Sequence, residues 1–187
     1  LNTYLYAPKM DIYHRDKWYL MYPEEELRQL ETLVGISKEH LIDFYYCISP
    51  GKDFDYANEQ EFESLYQKLN QVIDEGIRNF ALLMDDIDYK LSDKNKNLFI
   101  RPGIAHAVIT NKINQYLKSR VIDSSLIMCP TEYHSNWDSI YLTDLNERMD
   151  KDVIIFFTGD NVCAEVITND VAKHVKEVMG HPVALWE

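Results

Sequence analysis

Glycine and proline are sparse, six of each in 187 residues, and the three cysteines, Cys47, Cys129 and Cys163, are odd in number with no C-x-x-C spacing. Neither a disulfide framework nor a zinc site is signalled. Basic residues are in deficit, 19 against 31 acidic, and the formal charge of −12 repels a phosphate backbone, so a nucleic-acid role is disfavoured. No apolar run approaches bilayer length, and the opening Leu1-Asn2-Thr3-Tyr4 has neither a basic n-region nor an apolar h-region. No membrane association is expected. An initiator Met is lacking too, so the expectation is an excerpt of a longer protein, with any targeting signal elsewhere. No G-x-S-x-G elbow is present, which argues against a serine hydrolase. The histidines, His14, His40, His106, His134, His174 and His181, form no H-x-H or H-E-x-x-H pattern and are expected to lie mostly at the surface, with His134 singled out because it follows Tyr133 at a strand end.

The chain is 46% hydrophobic and 12% aromatic, enough for one packed core, so residues 1–187 are read as one domain. Apolar runs of strand length occur at Thr3 to Ala7, Ile42 to Ile48, Phe80 to Met84, Ser125 to Cys129, Val153 to Thr158 and Pro182 to Trp186. Segments of helical period lie between them: Pro23 to Glu39, Glu59 to Glu75, Gly103 to Ser119, Ser139 to Met149 and Asn169 to Met179. In the second, Phe62, Leu65, Leu69, Val72 and Ile73 form one stripe, while Glu61, Glu63, Gln67 and Lys68 are expected to point elsewhere.

Nearly continuous apolar strands in strict βαβ alternation imply a parallel sheet covered on both faces. Polar residues follow the strand runs: Lys9, Asp85, Asp86, Asp88, Thr131, Glu132, Tyr133, Thr158 and Glu187. That is where a (β/α) barrel carries its site. A dinucleotide-binding sheet would show a glycine-rich turn after its first strand, and Pro8-Lys9-Met10-Asp11 is not one. The expected fold is an α/β TIM (β/α)8 barrel, incomplete in this chain, with about six parallel strands and the first and last strands missing. Two unpaired sheet edges are expected to make this piece poorly stable alone.

The run Ala81-Leu82-Leu83-Met84-Asp85-Asp86-Ile87-Asp88 ends an apolar strand in three carboxylates. Like charges held close raise at least one pKa, placing a protonated acid beside an ionised one, as glycosidic cleavage requires. A solvated turn is the bland alternative, and a divalent-cation site is the third reading, although the spacing of a Ca²⁺ loop is missing. Trp18, Trp137 and Trp186 could each offer a flat face to a sugar or simply pack in a core.

Tyr4-Leu5-Tyr6-Ala7-Pro8-Lys9-Met10-Asp11, Tyr13-His14-Arg15 and Trp18, Ile48-Ser49-Pro50-Gly51, Ala81 to Asp88 and Cys129-Pro130-Thr131-Glu132-Tyr133 together closely resemble the catalytic domain of glycoside hydrolase family 84, in order and over the whole chain. The resemblance implies a retaining exo-β-N-acetylglucosaminidase in which the substrate's 2-acetamido oxygen is the nucleophile. Asp85 would orient the acetamido group and Asp86 would be general acid, then base. Tyr133 would bond the acetamido carbonyl, Lys9 would hold sugar hydroxyls, Thr158, Val162 and Trp186 would line the pocket, and Asp88 would support the pair from behind. No cofactor and no metal are implied.

The expected substrates are O-GlcNAc-modified proteins or other terminal β-GlcNAc glycans. The resemblance admits a homodimeric parent, located in cytoplasm and nucleus if eukaryotic. The alternatives are a catalytically silent sugar-binding barrel, a metal-dependent hydrolase using Asp85, Asp86 and Asp88, and a bacterial, hyaluronidase-like hexosaminidase. Met10, Lys52 and Glu187 depart from the family pattern at the rim of the site.

Overall fold

The computed structural model describes residues 2–51, 53–88, 90–134 and 138–186. Expectations placed on Lys52, Trp137 and Glu187 therefore lie outside the described residues. The elements run β1 (Thr3–Tyr6), α1 (Glu24–Glu39), β2 (Asp43–Ile48), α2 (Glu59–Asp74), β3 (Asn79–Leu83), α3 (Asp93–Phe99), α4 (Pro102–Arg120), β4 (Ser125–Cys129), α5 (Ile140–Arg148), β5 (Ile154–Phe157), α6 (Asn169–Met179) and β6 (Val183–Leu185).

Every strand pairs parallel with the next, in the order β1-β2-β3-β4-β5-β6. That order excludes the doubly wound alternative, which reverses direction from an interior strand. The sheet also curls, because Leu5 of β1 and Leu185 of β6 line one cavity of about 370 Å³ together with Cys47, Leu83 and Phe156.

Alternation along the strands divides the core. Cys47, Ala81, Leu83, Ile127, Cys129 and Phe156 pack together on the concave face. Phe44, Tyr46, Ile48, Phe80, Leu82, Leu126, Met128, Ile155 and Phe157 belong to the larger cluster that meets the helices. Both faces are apolar, which is why the strands read as continuous hydrophobic runs.

Side chains cap four helices: Asn58 accepts from the Gln60 N–H, Ser92 from Asn95, Ser139 from Leu142 and Thr168 from Val171. The other two begin at proline, with Pro23 before α1 and Pro102 in the first turn of α4. In α2 the expected stripe is buried, each of Phe62, Leu65, Leu69 and Val72 contributing about 1.5–3 kcal/mol over exposure.

Lys68 corrects the reading of α2, for it is fully buried rather than turned to solvent. Helix α3 had no counterpart in the sequence reading. Its seven residues, Asp-Lys-Asn-Lys-Asn-Leu-Phe, hold too few apolar positions to show a period. The histidines also differ from expectation, since His14, His106 and His181 are buried.

Gly103 lets α4 approach α5 closely. A Cβ there would overlap the Tyr141 carbonyl oxygen and lie 2.9 Å from Asp144 Cβ. Beside this contact Arg101 forms a two-pronged ion pair with the buried Asp144 carboxylate, its Nη2 at 2.6 Å from Oδ1.

Candidate active site

Leu83 faces the concave side of the sheet, and alternation would send Asp85 the same way and Asp86 to the opposite face. The backbone breaks that pattern at Asp86, whose φ of 53° lies in the left-handed region. A non-glycine residue held there is strained, and the strain turns the second carboxylate back toward the first.

Both carboxylates line a cavity of about 560 Å³ at the C-terminal ends of the strands, together with Lys9, Tyr133, Thr158, Val162 and Trp186. Seven of the eight residues singled out from the sequence thus share one cavity. Asp88 does not: it lines a neighbouring hollow with Asp53, Asp55 and Asn95, and its Oδ1 accepts from the Lys90 N–H. Among the described residues no group of three or more His, Cys, Asp or Glu side chains is arranged to hold a metal ion, so the triple-aspartate cluster does not assemble. Trp18 is buried against Phe54 in the core, whereas Trp186 is partly exposed in the cavity and its ring lies 5.1 Å from that of Phe156.

Hydrogen bonds between neighbouring strand ends fix the walls. Thr131 Oγ1 donates to the Met84 carbonyl at 2.7 Å, and the Thr131 N–H donates to Tyr141 Oη at 3.1 Å. The Thr158 N–H donates to the Tyr133 carbonyl at 3.0 Å, while Thr158 Oγ1 donates to the Asn161 carbonyl at 2.8 Å and closes the loop that brings up Val162. The Trp186 N–H donates to the Phe157 carbonyl.

Burial pushes the Asp85 carboxyl above its ordinary range, and the neighbouring Asp86 adds to this, while its own backbone N–H, then Arg15 and Lys9, oppose it. Asp85 Oδ1 is buried with no hydrogen-bond partner among the described residues. An unpaired carboxylate oxygen is costly to leave dry, so the position invites an N–H donor. The Tyr133 phenol is raised first by burial and then by Asp86 and Asp85. It therefore stays protonated near neutrality and can donate.

Sequence reading missed part of the lining: Cys129, buried at the end of β4, and the segment Cys163, Ala164, Glu165 and Ile167 after β5. Cys129 was legible only as a core residue. The segment's place beyond Thr158 and Val162 was the sole pointer to it. Arg15 also escaped notice as a charge near Asp85.

A carboxylate pair in a cavity at the C-terminal ends of a curled, all-parallel, sequentially wound sheet is the arrangement of a (β/α) barrel active site, and two carboxyl groups are what most glycoside hydrolases employ. Comparison narrows this. The family model for beta-N-acetylglucosaminidase matches residues 1–187, and the chain belongs to that family. It is 37% identical over 193 aligned residues to the protein O-GlcNAcases of Rattus norvegicus and of Mus musculus, covering 100% of this chain and 21% of each relative. The chain thus spans about a fifth of the length of those curated relatives. Among solved structures, a mutant O-GlcNAc hydrolase of Thermobaculum terrenum superposes with a TM-score of 0.96 at 32% identity, covering 100% of this chain and 41% of that one. CpGH84B superposes with a TM-score of 0.84 at 31% identity, covering 100% and 33%.

Proposed function

We propose that the parent protein is a retaining exo-β-N-acetylglucosaminidase that removes O-linked GlcNAc from Ser and Thr of proteins, with residues 1–187 forming part of its barrel. The observation that carries this reading is the buried Asp85 Oδ1, without a hydrogen-bond partner among the described residues, in the cavity that Asp86 and Tyr133 share. The names of the relatives, O-GlcNAcase and O-GlcNAc hydrolase, support the choice of sugar and its attachment.

In this mechanism the acetamido N–H donates to Asp85, which ionises more readily once its oxygen has a donor. Lys9 and Arg15 assist by opposing the effect of burial on the same carboxyl. The acetamido oxygen, held by the Tyr133 hydroxyl, attacks C1 from the face opposite the leaving group. As the C1–O bond breaks, the departing Ser or Thr oxygen takes the proton of the Asp86 carboxyl. The result is a bicyclic oxazolinium ion that keeps the acetamido N–H and whose positive charge Asp85 stabilises.

Asp86, now a carboxylate, takes a proton from water. The water oxygen attacks C1, the ring opens, and GlcNAc leaves with its β-configuration restored by two inversions. Asp86 is exposed, as a group that must reach both the aglycone oxygen and incoming water has to be. Thr158, Val162 and Trp186 would enclose the acetyl group, and Lys9 would bind ring hydroxyls.

The test is the first-formed product of a GlcNAc-bearing peptide, followed by proton NMR. Release of the β-anomer supports the reading. Release of the α-anomer, or no release by the intact parent, contradicts it, and sugar binding without release would favour the silent barrel.

A further inference from the structure

Lys68 is the anomaly of the fold. It projects from α2 into the layer between helices and sheet, is fully buried, and its Nζ has no hydrogen-bond partner among the described residues. Burial without an acceptor is unfavourable for an ammonium, and the lysine's pKa is pushed down to about 8, mainly by desolvation.

The surroundings are aromatic and end on one carboxylate. Nζ lies 4.1 Å from the centre of the Tyr22 ring and 5.4 Å from that of Tyr13, and the two rings pack 5.1 Å apart. Tyr22 Oη donates to Asp11 Oδ2 at 2.6 Å, Tyr6 Oη donates to the same oxygen at 3.1 Å, and the Tyr13 N–H donates to Oδ1 at 2.8 Å. Tyr46 Oη, from β2, donates to Tyr22 Oη at 3.2 Å. The Asp11 charge also opposes the fall in the Lys68 pKa. A cation and an anion are thus coupled through two phenol rings rather than by direct contact.

Asp11 closes a turn. Its N–H donates to the Pro8 carbonyl at 2.9 Å, so Lys9 and Met10 occupy the two central positions. Lys9 lines the sugar cavity, whereas Met10 points to solvent with 91% of its surface exposed. Whatever fixes Asp11 therefore fixes the aim of Lys9.

We propose that Lys68 is a positioning residue: through the Tyr13 and Tyr22 rings and the Asp11 carboxylate it holds the turn that presents Lys9 to the substrate. A lysine that only filled space here could be replaced by methionine, similar in length and apolar, without loss of stability, because its ammonium has no direct acceptor among the described residues to lose. A charge retained at a site where it is unfavourable needs another reason, and balancing Asp11 supplies it.

The test uses the intact parent and two variants, Lys68→Met and Asp11→Asn. Lys68→Met is expected to melt at or above the wild-type temperature. Its amide hydrogens between Lys9 and Tyr22 should exchange faster, and KM for 4-nitrophenyl N-acetyl-β-glucosaminide should rise by about tenfold with kcat within about twofold. Asp11→Asn should reproduce the KM rise. Adding Lys9→Ala to Lys68→Met should cost no more than Lys9→Ala alone.

Unchanged exchange and KM in a folded Lys68→Met, or losses that multiply with Lys9→Ala, would overturn the proposal. So would a Lys68→Met chain that cannot fold, since the lysine would then be a stability element. The kinetic arm rests on the glycosidase reading. A wild type that turns over no glycoside defeats that reading, while the exchange measurement still decides on Lys68.

Discussion

Thr131 Oγ1 donates to the Met84 carbonyl at 2.7 Å, so the end of β4 is tied to the residue that immediately precedes the aspartate pair. The same threonine is held from the other side by Tyr141 Oη, which lies 2.8 Å from His106 Nδ1. Thr131→Val keeps the shape and removes the donor to Met84. Stability should fall by about 1 kcal/mol and kcat by about tenfold, because the turn at Asp86 loses a restraint on its entry. Urea denaturation and steady-state kinetics on the parent protein check the two effects separately.

The division of labour between the carboxylates predicts different behaviour on substrates of different leaving-group ability. Asp86→Asn should slow release from an alkyl GlcNAc glycoside by about 10²–10⁴-fold and should slow an activated aryl glycoside less, since a good leaving group needs little protonation. Asp85→Asn should slow both comparably, because the attack of the acetamido oxygen is impaired whatever departs. Equal losses for the two variants on both substrates would argue against the assigned roles.

His106 provides a pH dependence of stability. Burial holds its pKa at about 3, against about 6.5 in an unfolded chain. Its contribution is fully present above pH 6.5 and is lost progressively as pH falls toward 3, where the unfolded chain binds a proton that the folded one refuses. The expected slope from this group is about 1.4 kcal/mol per pH unit across the middle of that window. His14 and His181, also lowered mainly by burial, act in the same direction. Urea midpoints of wild type and His106→Gln between pH 4 and 7 should diverge, with the variant less steep.

Gly103→Ala should destabilise through overlap at the α4–α5 contact. Backbone of Tyr141 stands in the path of the new methyl, so relief requires moving a helix rather than a side-chain tip. A loss of about 1–3 kcal/mol is expected. A melting temperature unchanged from wild type would show that the two helices are less closely fitted than described.

The four inner strands were legible because both faces of the sheet are largely buried there, while β1 and β6 read as apolar runs although Tyr4, Leu5 and Leu185 are exposed at the edges; the ends of all six fall within a residue of those observed. α6 was legible from its apolar spacing with the observed bounds, Asn169–Met179, where Thr168 caps it and Gly180 ends it in a left-handed conformation. The cavity was legible where a polar residue follows a strand, as at Asp85, Tyr133 and Thr158.

What escaped notice depends on tertiary packing. α3 is polar and short, and Lys68 satisfies a surface pattern in sequence while Tyr13 and Tyr22, more than forty residues away, cover it. The burial of His106 likewise depends on Tyr56 and Tyr141, whose rings pack against it. Asp88 belongs to the same motif as the pair, yet two residues past Asp86 it lies in another hollow.

The claim on which the mechanism depends is that the sugar's own acetamido oxygen attacks C1 under the guidance of Asp85. Its most direct test is the rate of the intact parent on aryl glucosaminides whose N-acyl group carries zero, one, two or three fluorines. Because fluorine withdraws electron density from that oxygen, kcat/KM should fall steeply with each addition. A rate indifferent to fluorination would mean that the attacking atom comes from the protein or from water, and would contradict the account.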